Sequence, residues 1–191
     1  ILYCCYDNEA YMNTGIQRSS ATPWGAWTTT TPAQHPEASN KKDIIGIMAA
    51  HSIPYAATAT VAYPVDLLAK ATRARDMRGT RFMHILAPCP PGWKCGDDET
   101  IELARMAVQN CVFPLLEVED GERWRLSMDH AHDAVEPYLR RQGRFRHLSD
   151  EQVSHIQAEV DARWASLTRR VAASATARAT EGAVPPSMAI A

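Results

Sequence analysis

Two clusters of residues have types and spacing that invite chemistry. The first is Asp7-Asn-Glu-Ala-Tyr-Met-Asn-Thr-Gly15, a polar loop that follows abruptly on the apolar and aromatic run Ile1-Leu-Tyr-Cys-Cys-Tyr6. A strand-end loop can offer one side-chain oxygen and, two residues on, a backbone carbonyl facing the same way. Asp7, Asn8 and Asn13 are equally ordinary turn formers. The second cluster is Cys89, set between Pro88 and Pro90. A cysteine so rigidly presented suits metal ligation, and a buried structural thiol is the plainer alternative.

The elements that position these residues follow from periodicity. Ile1 to Tyr6 reads as a buried strand that delivers its loop to the carboxyl edge of a sheet, where open α/β sheets bind ligands. Residues 43–52 place Ile44, Ile47, Met48 and His51 at helical spacing, with Asp43 at the start and Pro54 closing the segment. Tyr55 to Val61 is the next strand, Pro64 to about Arg78 a helix stopped by Gly79, and Phe82 to Leu86 a strand leading into Ala87-Pro-Cys-Pro-Pro-Gly-Trp93. The alternation implies a parallel sheet with right-handed crossovers. Thr100 to about Asn110 is a helix with Ile101, Ala104 and Val108 on one face. Val112 to Val118, demoted to an edge by Pro114, turns at Asp120-Gly121 into Arg123 to Met128, a closing hairpin.

Between these elements, residues 16–40 form a loop too long and too aromatic for a linker. It is expected to fold over a ligand or meet a neighbouring subunit, with Trp24 and Trp27 packing it. After Asp133 the chain turns helical and arginine-rich. Ser149-Asp-Glu-Gln152 is a capping-box pattern, and Val153, Ile156, Val160, Trp164, Leu167 and Val171 form an apolar stripe expected to pack on its own domain. The arginines at 140, 141, 144 and 146 are expected on a solvated helix surface. The segment from about Ala175 to Ala191 lacks periodicity and reads as disordered or as an arm around a partner.

The 191 residues fit one domain with a sizeable core, and the 20 basic and 22 acidic side chains leave a net charge of −2. No global field favours nucleic acid or a membrane surface, and no apolar run approaches a membrane span. A soluble, cytoplasmic chain is expected. Its five cysteines, Cys4, Cys5, Cys89, Cys95 and Cys111, favour reduced thiols or metal ligation over a disulfide framework. Cys4, Cys5 and Cys111 are expected in the core, and Cys95 fits no ligand spacing with Cys89. Because the sequence opens with Ile inside a strand, it reads as the C-terminal portion of a longer subunit.

Tyr6-Asp-Asn-Glu-Ala-Tyr-Met-Asn-Thr-Gly15 with Gln17-Arg-Ser-Ser-Ala-Thr-Pro23 resembles the thiamine-diphosphate loop of 2-oxoacid:ferredoxin oxidoreductase β subunits, typified by pyruvate:ferredoxin oxidoreductase. Ala49-Ala-His-Ser-Ile-Pro-Tyr-Ala-Ala-Thr58, His84-Ile-Leu-Ala-Pro-Cys-Pro-Pro-Gly-Trp93, Val135-Glu-Pro-Tyr-Leu139 and Gln142-Gly-Arg-Phe145 follow in family order, so the likeness covers about residues 1–170. It implies an α/β thiamine-diphosphate-binding fold, a parallel sheet flanked by helices, with a C-terminal helical extension. The implied division is residues 1–128 for the cofactor-binding part, 129–174 for the extension and 175–191 for a tail.

The resemblance also implies site residues. Asn8 (side chain) and Ala10 (carbonyl) would ligate Mg²⁺, and Asn8, Ala10, Tyr11, Met12, Asn13, Thr14 and Gln17 would line thiamine diphosphate, with Asn13 beside its reactive part as the catalytic group. Arg18 and Thr22 belong to the same loop. Cys89 would supply one ligand of a [4Fe-4S] cluster. The family's Gly-Asp-Gly turn, which carries another Mg²⁺ ligand, and its three other cluster cysteines are not in this sequence. The implied reaction is oxidative decarboxylation of a 2-oxoacid, pyruvate by default, with coenzyme A, ferredoxin and α, γ and δ type subunits as partners. Relatives using 2-oxoglutarate, branched-chain 2-oxoacids, phenylglyoxylate or oxalate share this region. A non-oxidative thiamine-diphosphate enzyme would need no Cys89, and a non-catalytic scaffold would explain the missing Gly-Asp-Gly half.

Overall fold

The computed structural model describes residues 1–181. Strands β1 (Leu2–Asp7), β2 (Tyr55–Thr60), β3 (Arg81–Leu86), β4 (Leu116–Glu119) and β5 (Arg123–Leu126) form one sheet in the order β1-β3-β2-β4-β5. The first three are parallel, and β4 and β5 are an antiparallel hairpin added beside β2. Asp7 and Thr60 both pair with Leu86, so the parallel strands end level. Their outgoing loops therefore leave from one carboxyl edge.

Helices cover both faces. Helix α2 (Pro64–Asp76) packs Ala74, with Leu67 and Ala71, against Tyr55, Ala57, Ala59, Met83 and Ile85. On the other face α1 (Ile44–Ala50) brings Ile45 and Ala49 against Ala56, Phe82, Leu116 and Val118. Strand β2 is buried along its whole length, and its run of alanines lets both helices approach closely. A third cluster, around Trp93, Leu103, Tyr138, Phe145 and Val160, joins α3 (Pro90–Trp93), α4 (Thr100–Gln109), α5 (Glu136–Arg140) and α6 (Asp150–Glu181) beyond the carboxyl edge. The stripe of α6 packs on this chain, with Val153, Ile156, Val160 and Trp164 in the third cluster and Leu167 in the second. Its start is capped reciprocally: Ser149 N donates to Gln152 Oε1 at 2.9 Å, and Gln152 N to Ser149 Oγ at 3.2 Å.

Several expectations are corrected. Strand β1 is an edge strand, with Tyr3, Cys4 and Tyr6 exposed and only Asp7 buried, because the sheet order leaves one side of it open. Cys4 is therefore not a core residue and Cys5 is half-buried, whereas Cys111 is buried as expected. Pro114 precedes β4, which lies inside the sheet; the edge on that side is β5. His51 caps the C-terminus of α1 and is exposed rather than on an apolar face. In α4 the buried residues are Leu103, Ala104, Ala107 and Val108, and Ile101 is exposed. Helix α6 continues past Ala175 to Glu181, and residues 182–191 of the expected tail lie outside the described residues. No described helix is long and apolar enough to cross a membrane.

Candidate functional site

The polar loop leaves β1 at the carboxyl edge and is held by short bonds. Asp7 Oδ1 accepts from Glu9 N at 2.8 Å, and Thr22 Oγ1 donates to Glu9 O at 2.8 Å. The chain reverses at Met12 to Ile16, where Gly15 N and Ile16 N both donate to Met12 O, at 3.2 and 3.3 Å. Gly15 has φ +115°, a value glycine adopts freely. A two-way backbone bridge between Tyr11 and Gln17 closes the loop, and Thr14 Oγ1 donates to Gln17 Oε1 at 2.6 Å.

This frame places the expected site residues unequally. Asn8 is half-buried; its carbonyl accepts from Trp93 Nε1 at 3.0 Å, while among the described residues its side-chain oxygen accepts only from Ala10 N, at 3.5 Å. Among the described residues no hydrogen bond reaches the Ala10 carbonyl. Met12 packs into the cluster around Trp93 and sits so close over Gly92 that a Cβ there would collide with its sulfur. Tyr11, Asn13 and Thr14 are exposed, and the Asn13 side chain has no partner among the described residues. Gln17 and Thr14 are occupied by each other, and Arg18 pairs with Glu37.

Beneath the loop lies a buried chain of charges that the sequence analysis did not assemble. Lys41 Nζ lies 2.6 Å from Asp7 Oδ2 and 2.7 Å from Glu9 Oε1, and the other Glu9 oxygen meets Arg144 Nη2 at 2.5 Å. Asp7 Oδ2 also bonds His84 Nε2 at 2.7 Å. Burial alone would raise the Asp7 pKa, but the bonds from His84 and the Lys41 ammonium hold it well below the usual carboxylate range. Burial would likewise lower Lys41, and the Glu9 and Asp7 carboxylates outweigh that and raise it. Two carboxylates and two cations thus balance inside the protein. Arg144 is 2% exposed, stacked 4.0 Å over Trp93, which corrects its expected place on a solvated surface. Arg140 and Arg141 do lie at the surface, paired with Asp150 and Glu99.

The donor chemistry that remains fits Mg²⁺. The two carboxylates of Asp-Asn-Glu are taken by cations, and the neutral oxygens on either side of Glu9 are Asn8 Oδ1, with one long contact from Ala10 N at 3.5 Å, and Ala10 O, with no hydrogen bond among the described residues. Mg²⁺ shares its octahedron with substrate phosphates and water, so two protein oxygens are a fitting partial set. Glu9 itself has φ +70°, a left-handed conformation that costs a non-glycine residue roughly 1–2 kcal/mol. The bonds at its N–H, carbonyl and both carboxylate oxygens hold it there.

Cys89 caps α3 and is half-buried on the third cluster, with Cys95 beside it. Burial, the Glu99 carboxylate and the nearby Cys89 push the Cys95 thiol up. Among the described residues no three His, Cys, Asp or Glu side chains gather as a metal site. The structure thus brings Cys89 together with Cys95 but with no third such ligand among the described residues. The contacts of Met12 with Gly92 and of Asn8 with Trp93 bring the Cys89 turn and the polar loop together. Loop 16–40 folds back on the chain's own C-terminal elements: Trp27 N donates to Arg144 O at 2.9 Å, Lys94 Nζ lies 3.1 Å over the Trp27 ring, and Trp24 meets His155 edge-on at 4.7 Å.

Residues 1–85, which carry the polar loop and His84, match the family of the thiamine pyrophosphate enzyme C-terminal TPP binding domain. The chain is 48% identical over 174 residues to ketoisovalerate oxidoreductase subunit VorB of Pyrococcus abyssi, an alignment covering 88% of this chain and 56% of that protein. It is 49% identical over 165 residues to pyruvate synthase subunit PorB of Methanocaldococcus jannaschii, covering 84% of this chain and 55% of that one. Over most of its own length the chain is thus a homologue of 2-oxoacid:ferredoxin oxidoreductase β subunits. It spans about half the length of these relatives, 56% and 55%. A solved 2-oxoglutarate:ferredoxin oxidoreductase from Magnetococcus marinus, with 2-oxoglutarate, coenzyme A and succinyl-CoA bound, matches more loosely, at 22% identity and a TM-score of 0.44 over 55% of this chain and 42% of that one.

Within this segment the sequence alone singled out the loop and the cysteine, and it missed Glu9, Lys41, His84 and Arg144 as one unit. The available signal was faint: an acidic pair at a strand end, a histidine inside a buried strand, and one arginine embedded in an otherwise apolar turn.

Proposed function

We propose that this chain forms the Mg²⁺ and thiamine-diphosphate face of a 2-oxoacid:ferredoxin oxidoreductase β subunit, acting in oxidative decarboxylation of pyruvate or a branched-chain 2-oxoacid. The observation that carries this reading is the pair of neutral oxygens, Asn8 Oδ1 with only a long 3.5 Å contact from Ala10 N and Ala10 O with no hydrogen bond among the described residues, on a pinned loop within the matched segment. Thiamine diphosphate, when bound, supplies the carbon nucleophile and the electron sink for loss of CO2. Asn8 and Ala10 would hold a Mg²⁺ shared with its diphosphate. Asn13, exposed and without an internal partner, is the group available to hydrogen-bond the reacting end, and Tyr11, Met12, Thr14 and Gln17 shape the loop around it. Cys89 gives one thiolate to a [4Fe-4S] cluster completed by residues from elsewhere. Ferredoxin, coenzyme A and further α, γ and δ type subunits are the proposed partners, and the cytoplasm the proposed location.

Purifying the full complex and following 2-oxoacid oxidation with ferredoxin or a viologen dye tests this. Turnover is expected with pyruvate or 3-methyl-2-oxobutanoate, strictly dependent on thiamine diphosphate, Mg²⁺ and coenzyme A. Turnover with neither acid, or turnover that persists once thiamine diphosphate is removed, would overturn it.

A further inference from the structure

We infer that Glu9 is a positioning residue for the Mg²⁺ donors: clamped between Lys41 and Arg144, it sets the relative placement of Asn8 Oδ1 and Ala10 O. The inference rests on the thiamine-diphosphate reading and adds to it a residue that touches neither metal nor cofactor. Glu9 is 2% exposed, and both carboxylate oxygens are spent, one on Lys41 Nζ at 2.7 Å and one on Arg144 Nη2 at 2.5 Å. It is therefore not a ligand. Its backbone is fixed as firmly, with N–H on Asp7 Oδ1 and carbonyl on Thr22 Oγ1, both at 2.8 Å.

The two flanking donor oxygens are by contrast not held from outside the pair among the described residues: Asn8 Oδ1 accepts one long contact, from Ala10 N at 3.5 Å, and the Ala10 carbonyl accepts none. Glu9 lies between the two donors, and its four contacts at N–H, carbonyl and both carboxylate oxygens make it the most firmly pinned of the three residues. The clamp reaches far for this purpose: Lys41 ends the long loop, and Arg144 is anchored by Gln142 Oε1 at 2.9 and 2.7 Å and by the Trp93 ring. Trp93 itself bonds the Asn8 carbonyl, so the clamp closes back on the donor pair.

Metal choice gives this a distinctive readout. Mg²⁺ demands near-ideal octahedral geometry with short bonds, whereas Ca²⁺ accepts longer, irregular ones. If Glu9 sets donor spacing, loosening it penalises Mg²⁺ more than Ca²⁺; if Glu9 only supports the fold, both suffer alike.

The test uses the full-length protein with its accompanying subunits, stripped of cofactor, and titrates thiamine diphosphate in Mg²⁺ or in Ca²⁺ by calorimetry. Glu9→Gln is expected to raise Kd with Mg²⁺ on the order of tenfold or more, as loss of an outer support does at metal sites. With Ca²⁺ the change is expected to stay below about threefold. Lys70→Met, which breaks a buried pair with Asp66 at 2.7 Å on the far face of the sheet, leaves the Mg²⁺/Ca²⁺ ratio unchanged. Should Glu9→Gln fail to assemble, Glu9→Asp keeps the charge, shortens the reach and shows the same loss of ratio to a smaller extent. An unchanged ratio in whichever variant assembles overturns the positioning role. Absence of thiamine-diphosphate binding by the wild type with either metal instead overturns the functional reading, and the positioning role falls with it.

Discussion

Arg144→Met removes one of the two cations on Glu9 and should be among the most damaging single changes in the chain. Breaking a buried ion pair from one side costs about 3–5 kcal/mol, because the remaining charge stays buried. Here Lys41 still holds the other Glu9 oxygen at 2.7 Å, which favours the lower end of that range. The stacking of the guanidinium 4.0 Å over Trp93 adds roughly 1–2 kcal/mol to the loss, and the methionine stem returns part of that as packing. A net loss of about 3–4 kcal/mol, at roughly 2–4 °C per kcal/mol for a chain of this size, lowers Tm by about 6–16 °C. Arg146, two residues on, is exposed and has no ion-pair partner among the described residues, so Arg146→Met leaves the midpoint in place. Urea or thermal unfolding of the two variants is the assay. In a Glu9→Gln background Arg144→Met should cost less, with a coupling of at least about 1 kcal/mol. Equal midpoints for Arg144→Met and Arg146→Met would refute the reasoning.

Further predictions concern the pH window, a helix start and the thiols. The Asp7 pKa is depressed, so its contribution is present above about pH 4 and lost as pH falls through the folded value. The Lys41 pKa is raised, so its contribution is present below about pH 10.4 and lost as pH rises beyond it. The stability difference between wild type and Asp7→Asn, from urea midpoints, should therefore shrink as pH falls below about 4. Ser149→Ala removes half of a reciprocal cap and should cost about 1 kcal/mol, with faster hydrogen exchange in the first turn of α6. A maleimide should modify exposed Cys4 first and buried Cys111 last, since burial pushes the Cys111 thiol up to about 11. The opposite order would contradict the edge position of β1.

Local signals in the sequence were enough for much of the scaffold. Ser149-x-x-Gln152 marks the start of α6, and Pro64 the start of α2, although α2 stops at Asp76 with Met77 as its cap, short of the glycine stop expected at Gly79. Strand order is not a local property. An apolar run such as Ile1 to Tyr6 looks alike whether a strand lies inside a sheet or along its rim, so the exposure of Tyr3 and Tyr6 emerged only with the topology. The loop at Asn8 was legible because its residue types cluster within one turn. Its support was not, because His84, Lys41 and Arg144 reach Asp7 and Glu9 from 77, 32 and 135 residues away. Arg144 also stands among other arginines, and only burial against Trp93 separates it from its surface neighbours.

The most direct test of the central claim is calorimetric titration of thiamine diphosphate into the cofactor-free, full-length protein with its accompanying subunits, with and without Mg²⁺, for wild type and Asn8→Ala. Saturable binding that requires Mg²⁺ and is lost in Asn8→Ala is the predicted result. Binding to Asn8→Ala as tight as to wild type would contradict the assignment of this loop as the Mg²⁺ and thiamine-diphosphate site.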